Sequence, residues 1–118
     1  MAEPLPTHAR IVIIGGGVAG CSVAYHLAKL GIKDVVLLER GTLTCGTSWH
    51  AAGLIMQLRT TALLTELCTY TAKLYGRLEA ETGQATGFKQ VGSLPVARND
   101  DRWTEIKRLA SLGRYFNI

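Results

Sequence analysis

The chain has 118 residues, of which 47% are hydrophobic and 19% charged, so it suits one globular domain and is not a disordered tail. Thirteen basic against nine acidic residues give a net charge of +4, but no run of five or more like charges exists, and nucleic acid is not an expected partner. The most apolar helical stretch, residues 18–32, falls short of the roughly 20 residues that a membrane span needs, so no membrane span is expected.

Residues 1–9 read as a short loose leader, because they lack both the basic and apolar regions of a secretory signal and the Arg/Ser-rich character of a transit peptide. The three cysteines are odd in number and widely spaced, and no histidine–cysteine pair has ligand spacing. We therefore expect no disulfide framework and no metal site. A reducing compartment is favoured: the cytoplasm, or the mitochondrial matrix if the organism is eukaryotic.

The first elements in the chain predict a parallel βαβ unit. Residues 10–14 form a β-branched run before three glycines, as expected for a strand buried on both faces. Apolar residues at helical spacing predict a helix over residues 18–30, with Gly31 as its stop signal. Residues 34–39 then form the second strand, and the crossover between parallel strands is right-handed in nearly all such units.

The rest of the chain alternates a loop, helices and short strands. Residues 41–53 form a Gly-, Thr- and Ser-rich loop whose last part is expected to enter a helix. Residues 61–82 predict one long amphipathic helix that ends at Gly83. Two short strands, or one bent edge strand, are expected at residues 88–91 and 93–97. Asn99 or Asp100 is expected to cap a last helix that Gly113 closes.

The segment from Gly15 to Gly20 matches G-x-G-x-x-G between a strand and a helix, the context that the dinucleotide motif requires. Gly15 allows the tight turn, Gly17 lets a pyrophosphate approach the backbone, and Gly20 lets the helix approach the sheet. Amides at the positive end of the helix then face the phosphates. The expected phosphate-binding residues are Gly15, Gly17, Val18, Ala19 and Gly20.

Glu39 lies 19 residues after Gly20, at the end of the second strand, where a carboxylate accepts hydrogen bonds from ribose hydroxyls. A carboxylate there also repels the extra phosphate of NADP. Arg40 is placed to pair with a phosphate or with solvent. These residues alone leave FAD and NAD as alternatives, because the two cofactors share the ADP half.

The following loop resolves this choice through a resemblance. The segments that carry it are residues 13–20, 37–40, 46–54 (Gly-Thr-Ser-Trp-His-Ala-Ala-Gly-Leu), 87–88 and 92–94. With them the chain resembles the glycine oxidase and D-amino-acid oxidase-like superfamily of FAD-dependent amine oxidoreductases, and within it the sarcosine and dimethylglycine dehydrogenase family. The resemblance implies an α/β fold with a Rossmann-like FAD-binding βαβ unit followed by helices and short strands. Since two parallel strands make a poor sheet, residues 10–118 are expected to be an incomplete domain, the N-terminal part of a longer protein.

In the family that the chain resembles, the histidine of the Trp-His motif is joined covalently to FAD, and His50 is the matching position. A neutral imidazole has a free lone pair for this bond. The alternative is a noncovalent histidine stacked near the flavin ring or bonded to a backbone carbonyl.

Other residues of the loop are expected to bind the pyrophosphate or ribityl chain of the cofactor, or to cap the helix that follows. Trp49 is expected in the core, with packing beside the flavin as the alternative. The expected cofactor-binding residues of this loop are Gly46, Thr47, Ser48, His50, Ala52 and Gly53.

The resemblance implies that the N-methyl group of a sarcosine- or dimethylglycine-type amino acid is oxidised by hydride transfer to the flavin. The expected partner is a small amine, and the imine formed from it would be captured by water or, in the full-length protein, by tetrahydrofolate. This chain identifies neither the electron acceptor nor the catalytic residues. Two alternatives stay open: a flavin-binding regulatory subunit without dehydrogenase activity, and an NAD-linked dehydrogenase.

Overall fold

The computed structural model describes residues 6–118, so residues 1–5 of the expected leader lie outside the described part. The chain divides into two units, one ending at Gly53 and one comprising Leu54–Ile118. The first holds β1 (Ile11–Ile14), α1 (Val18–Lys29) and β2 (Val35–Leu38), and the second holds α2 (Ala62–Thr82) and α3 (Asp100–Tyr115). No helix among residues 6–118 is long and apolar enough to cross a membrane.

The first unit is the predicted βαβ crossover. Strands β1 and β2 pair in parallel, with Ile11 opposite Val35 and Ile14 opposite Leu38. The ladder continues past the strand ends, since the amide of Gly15 donates to the carbonyl of Leu38 at 2.8 Å. Helix α1 stops as expected, because Gly31 takes a left-handed φ of 79°. The sequence therefore predicted all three elements to within one residue at their ends.

The expectation that β1 is buried on both faces is wrong for this structure. Ile13 is only 9% exposed and faces α1, whereas its neighbours Val12 and Ile14 are 52% and 87% exposed. Alternate side chains of a strand point to opposite faces of the sheet, so one helix can cover only one set. Within residues 6–53 no second helix is present to cover the other face.

In the second unit, α2 begins and ends where the sequence predicted. The hydroxyl of Thr61 accepts a hydrogen bond from the amide of Leu64 at 3.3 Å, and Gly83 takes a left-handed φ of 74°. The buried core of α2 consists of Thr65, Ala72 and Leu74. After α2 the chain turns back, so that the rings of Tyr75 and Phe88 lie 5.9 Å apart.

Two predictions for the second unit are wrong. Residues 88–97 form no strand, because a strand needs hydrogen bonds from a neighbour and no third strand exists among residues 6–118. Helix α3 begins after its predicted cap Asn99, but it continues through Gly113 to Tyr115. Gly113 is buried, and the side chain of Leu58 lies 3.9 Å from the position that a Cβ of Gly113 would occupy. The residue with a left-handed backbone after this helix is Asn117, with a φ of 55°.

Candidate functional site

The glycine-rich turn between β1 and α1 depends on glycines that cannot carry a side chain. Gly15 has a φ of 101°, which a residue with a Cβ rarely adopts. A Cβ on Gly20 would lie 1.9 Å from the carbonyl oxygen of Gly15, and one on Gly16 would lie 2.6 Å from Leu43. Helix α1 therefore starts in direct contact with the end of β1 and the residue that follows it.

Glu39 is tied to this turn through its carboxylate. Oε2 accepts a hydrogen bond from the amide of Gly16 at 2.7 Å, and Oε1 accepts one from the amide of Gly41 at 2.9 Å. The Gly16 bond, followed by the Gly41 bond, lowers the pKa of Glu39 from its ordinary value of 4.5. The group is thus an anion at neutral pH with its orientation fixed, and each oxygen keeps a lone pair for a further donor.

Residues 41–51 form a loop that is bonded to the glycine-rich turn. The amide of Thr44 donates to the carbonyl of Gly16 at 2.8 Å, and the hydroxyl of Ser48 accepts from the amide of Val18 at 2.9 Å. Thr44 takes a left-handed φ of 64°, which is uncommon for a β-branched residue. The predicted entry of this loop into a helix is wrong, since it forms successive turns, and Ser48 caps α1 rather than a following helix.

His50 lies at the end of this loop with its ring exposed. Its Nδ1 is 3.0 Å from the carbonyl oxygen of Gly46, so the structure shows the backbone-carbonyl contact that the sequence analysis gave with the noncovalent alternative. Because a carbonyl oxygen can only accept, a hydrogen bond here requires the proton on Nδ1. In that neutral tautomer the lone pair lies on Nε2. Trp49 is 77% exposed, so the expectation that it anchors the loop in the core is wrong for this structure.

The residues of this unit fit a dinucleotide. Within residues 6–118 no acceptor bonds the amides of Gly17, Ala19 or Gly20, which lie at the positive end of α1. The hydroxyl of Ser48 uses its oxygen on Val18 and keeps its proton for a phosphate oxygen. Glu39 remains able to accept from ribose hydroxyls. The unit therefore offers amide and hydroxyl donors for phosphate oxygens and a carboxylate for ribose hydroxyls.

The other predicted site residues differ in the hydrogen bonds that they make. Gly46 contributes its carbonyl to His50 and Trp49. Thr47 is exposed and accepts from the amide of His50 through its carbonyl. Arg40, Ala52 and Gly53 are exposed. The backbone and charge of Arg40 help to lower the pKa of Glu39, whereas no hydrogen bond in the described part of the chain ties Ala52 or Gly53 to the turn.

The sequence did not single out three contributors: Gly16, Gly41 and Thr44. Gly16 occupies a variable position of G-x-G-x-x-G, although its amide and carbonyl hold Glu39 and Thr44. The run of glycines before α1 was the available signal for Gly16. Nothing in the sequence signals the left-handed conformation of Thr44.

A comparison with protein families decides what this site belongs to. Residues 10–117 match the family described as FAD dependent oxidoreductase. The chain belongs to this family. The resemblance found in the sequence is thereby confirmed, and FAD is the cofactor of the family.

Several curated proteins are similar to this chain over most of its length. It is 51% identical to the sarcosine dehydrogenase of Mus musculus over 118 residues, 99% of this chain and 13% of that protein. It is 52% identical to the dimethylglycine dehydrogenase of Rattus norvegicus over 99 residues, 84% of this chain and 12% of that protein. It is also 44% identical to the pyruvate dehydrogenase phosphatase regulatory subunit of Mus musculus, over 91% of this chain and 12% of that protein.

Among solved structures, glycine oxidase from Bacillus cereus superposes with a TM-score of 0.70 at 31% identity, over 89% of this chain and 30% of that one. The predicted α/β class with a Rossmann-like βαβ unit is therefore confirmed. The chain spans about an eighth of the length of the curated relatives that it matches.

Proposed function

We propose that this chain is the FAD-binding portion of an oxidoreductase that oxidises the N-methyl group of a secondary or tertiary amino acid such as sarcosine or dimethylglycine. The observation that carries the proposal is the bonding of the Trp49–His50 loop onto the glycine-rich turn. One small unit thereby presents amide donors for a diphosphate, a carboxylate for a ribose and an imidazole beyond them. The similarity to sarcosine and dimethylglycine dehydrogenases supports the substrate class.

When bound, FAD supplies the redox chemistry by accepting a hydride from the N-methyl carbon, and the protein supplies position and electrostatics. The amides of Gly17, Ala19 and Gly20 neutralise phosphate charge at the start of α1. Glu39 orients the ribose and disfavours a 2′-phosphate. None of these residues is assigned to the amine, to tetrahydrofolate or to the electron acceptor.

We infer further that His50 is the covalent attachment point of FAD. The bond of Nδ1 to the carbonyl of Gly46 leaves Nε2 as the nucleophile, and the ring is exposed rather than packed. The bond joins Nε2 to the C8 methyl carbon of the flavin. In the FAD-bound protein, one hydrogen of that methyl, the imidazole proton and two electrons would pass to the flavin, and dioxygen would take them up as hydrogen peroxide.

The attachment is tested by acid precipitation of the protein expressed from its own gene and of its His50→Ala variant. We expect yellow colour to stay with the wild-type pellet and to leave the variant pellet. Colour released from both pellets would refute the attachment, while an unbound, colourless wild-type protein would refute FAD binding itself.

The reaction is tested by mixing the oxidised flavoprotein with sarcosine or dimethylglycine in the absence of oxygen. Loss of the flavin absorbance near 450 nm is expected for an amine dehydrogenase. A flavin-binding regulatory subunit, the alternative that the 44% identical relative favours, would keep its absorbance with both amines. An NAD-linked dehydrogenase would be colourless.

The compartment of the protein is also a proposal. The mouse sarcosine dehydrogenase and the rat dimethylglycine dehydrogenase are mitochondrial. All three cysteines of this chain are free, which suits a reducing compartment such as the cytoplasm or the mitochondrial matrix.

A further inference from the structure

Besides the Glu39 carboxylate, which accepts from the amides of both Gly16 and Gly41, two direct hydrogen bonds of different chemical kind join the loop that carries His50 to the glycine-rich turn. At its start, the amide of Thr44 donates to the carbonyl of Gly16, which is a backbone-to-backbone bond. At its end, the hydroxyl of Ser48 accepts from the amide of Val18, and Ser48 is half-buried. Of these two bonds, only the second depends on a side chain, so only the second can be removed by substitution.

Between the two points, the loop is held by its own hydrogen bonds. The amide of Trp49 lies 3.1 Å from both the carbonyl of Thr44 and the carbonyl of Gly46. The amide of His50 donates to the carbonyl of Thr47 at 3.1 Å, and its ring is bonded to Gly46. A shift of the backbone at Ser48 therefore moves the imidazole, because only Trp49 separates the two residues and each is tied to the same turns.

We propose that Ser48 is a positioning residue for His50: by accepting from the first amide of α1, its hydroxyl fixes where Nε2 lies relative to a flavin bound through its diphosphate. The inference rests on the proposed function, because it concerns the covalent attachment of FAD. The inference goes beyond phosphate binding, because it gives Ser48 an effect on the covalent bond between His50 and the flavin ring, which lies at the opposite end of FAD from the adenosine.

This role makes a specific kinetic prediction. A residue that only binds phosphate changes how much FAD is bound, and saturating FAD compensates for its loss. A residue that positions the nucleophile changes the first-order rate of attachment after FAD is bound, and no concentration of FAD compensates. Misplacement of a reacting group by about 1 Å costs up to about 100-fold in rate.

The experiment uses the protein expressed from its own gene in riboflavin-starved cells, so that it is purified without flavin. FAD is added in air, and the acid-stable flavin is measured over time at several FAD concentrations. Ser48→Ala is compared with Ser48→Thr, which keeps the hydroxyl. Thr42→Ala is the matched control, since Thr42 lies in the same exposed loop and its hydroxyl makes no hydrogen bond within residues 6–118. The equilibrium affinity is measured separately in a His50→Ala background, where attachment cannot occur.

We expect Ser48→Ala to lower the saturating attachment rate by about tenfold or more, and Ser48→Thr and Thr42→Ala to stay within about twofold of wild type. In the His50→Ala background, the added Ser48→Ala change should weaken FAD binding by a smaller factor than it slows attachment. Ser48→Cys keeps the size of the side chain with a weaker acceptor, and we expect an intermediate rate; it replaces Ser48→Ala if that variant does not fold by circular dichroism.

Equal saturating rates for wild type and Ser48→Ala, with the loss confined to affinity, would overturn this inference alone. If the wild-type protein binds FAD but never forms the covalent bond, both the proposed attachment at His50 and this inference are wrong, while the proposal that the chain binds FAD still stands. The two failures are therefore distinguishable in the same assay.

Discussion

Gly20→Ala is the substitution that tests the close approach of α1 to β1. The added methyl would start 1.9 Å from the carbonyl oxygen of Gly15 and 3.4 Å from the side chain of Ile13. A Cβ needs at least 3.0 Å, so the helix start must retreat by about 1.1 Å, and the obstacle is backbone rather than a flexible side chain. Overpacking of this kind costs about 1–3 kcal/mol. The same retreat displaces the amides that face a diphosphate, so FAD affinity should fall together with stability.

Urea unfolding followed by circular dichroism and FAD titration followed by flavin fluorescence measure the two effects. Gly76→Ala is the matched control, because Gly76 lies within α2 with no atom within 4 Å of its Cβ position. An alanine there should leave FAD affinity unchanged and raise stability by up to about 1 kcal/mol through helix propensity. If Gly20→Ala unfolds at the wild-type midpoint and binds FAD equally well, the steric reasoning is wrong.

Two further substitutions test the electrostatics of unit one and the buried polar group of unit two. Because the pKa of Glu39 is lowered from 4.5, its stabilisation is complete above pH 4.5 and is lost as the pH falls through the folded-state pKa. The stability difference between wild type and Glu39→Gln, measured by urea unfolding, should therefore shrink on acidification below pH 4.5, and a difference independent of pH would contradict this. Thr65 is 1% exposed and its hydroxyl accepts from the amide of Arg59 at 3.0 Å, so Thr65→Val should cost about 1–3 kcal/mol of unfolding free energy. Thr71→Val, which loses only a bond to a carbonyl of its own helix, should cost less than half as much, and equal costs would argue against the buried amide as the cause.

The parts of the fold that sequence reasoning predicted are those in which local signals agree with the final structure. The helix α2 has a capping threonine at one end and a left-handed glycine at the other, and both signals lie within the segment itself. The βαβ crossover was predictable because the tight turn between a strand and a helix requires residues without a Cβ, whatever the rest of the protein. Gly113 was misread because the same residue type ends a helix or allows close packing, and only the position of Leu58 distinguishes the two.

The candidate site was predictable in its residue types but not in its internal bonds. A motif places Glu39 near the turn, yet its bonds to two backbone amides depend on the path of the following loop. Trp49 was expected inside because tryptophans are usually buried on average, but that average does not apply to a loop with nothing packed over it. The prediction of strands at residues 88–97 was wrong because a strand needs a second segment to pair with. The residue pattern within one segment does not show whether such a partner exists.

The left-handed backbone of Thr44 is an unfavourable conformation that the loop of residues 41–51 adopts when the chain folds. A left-handed backbone at a β-branched residue is unfavourable by about 1–3 kcal/mol, and it persists only where the surroundings require it. Here the requirement is internal, since the chain's own amides and carbonyls hold the loop. If FAD binds here as proposed, it meets a loop that is already ordered, so that little of its binding energy is spent on ordering the loop.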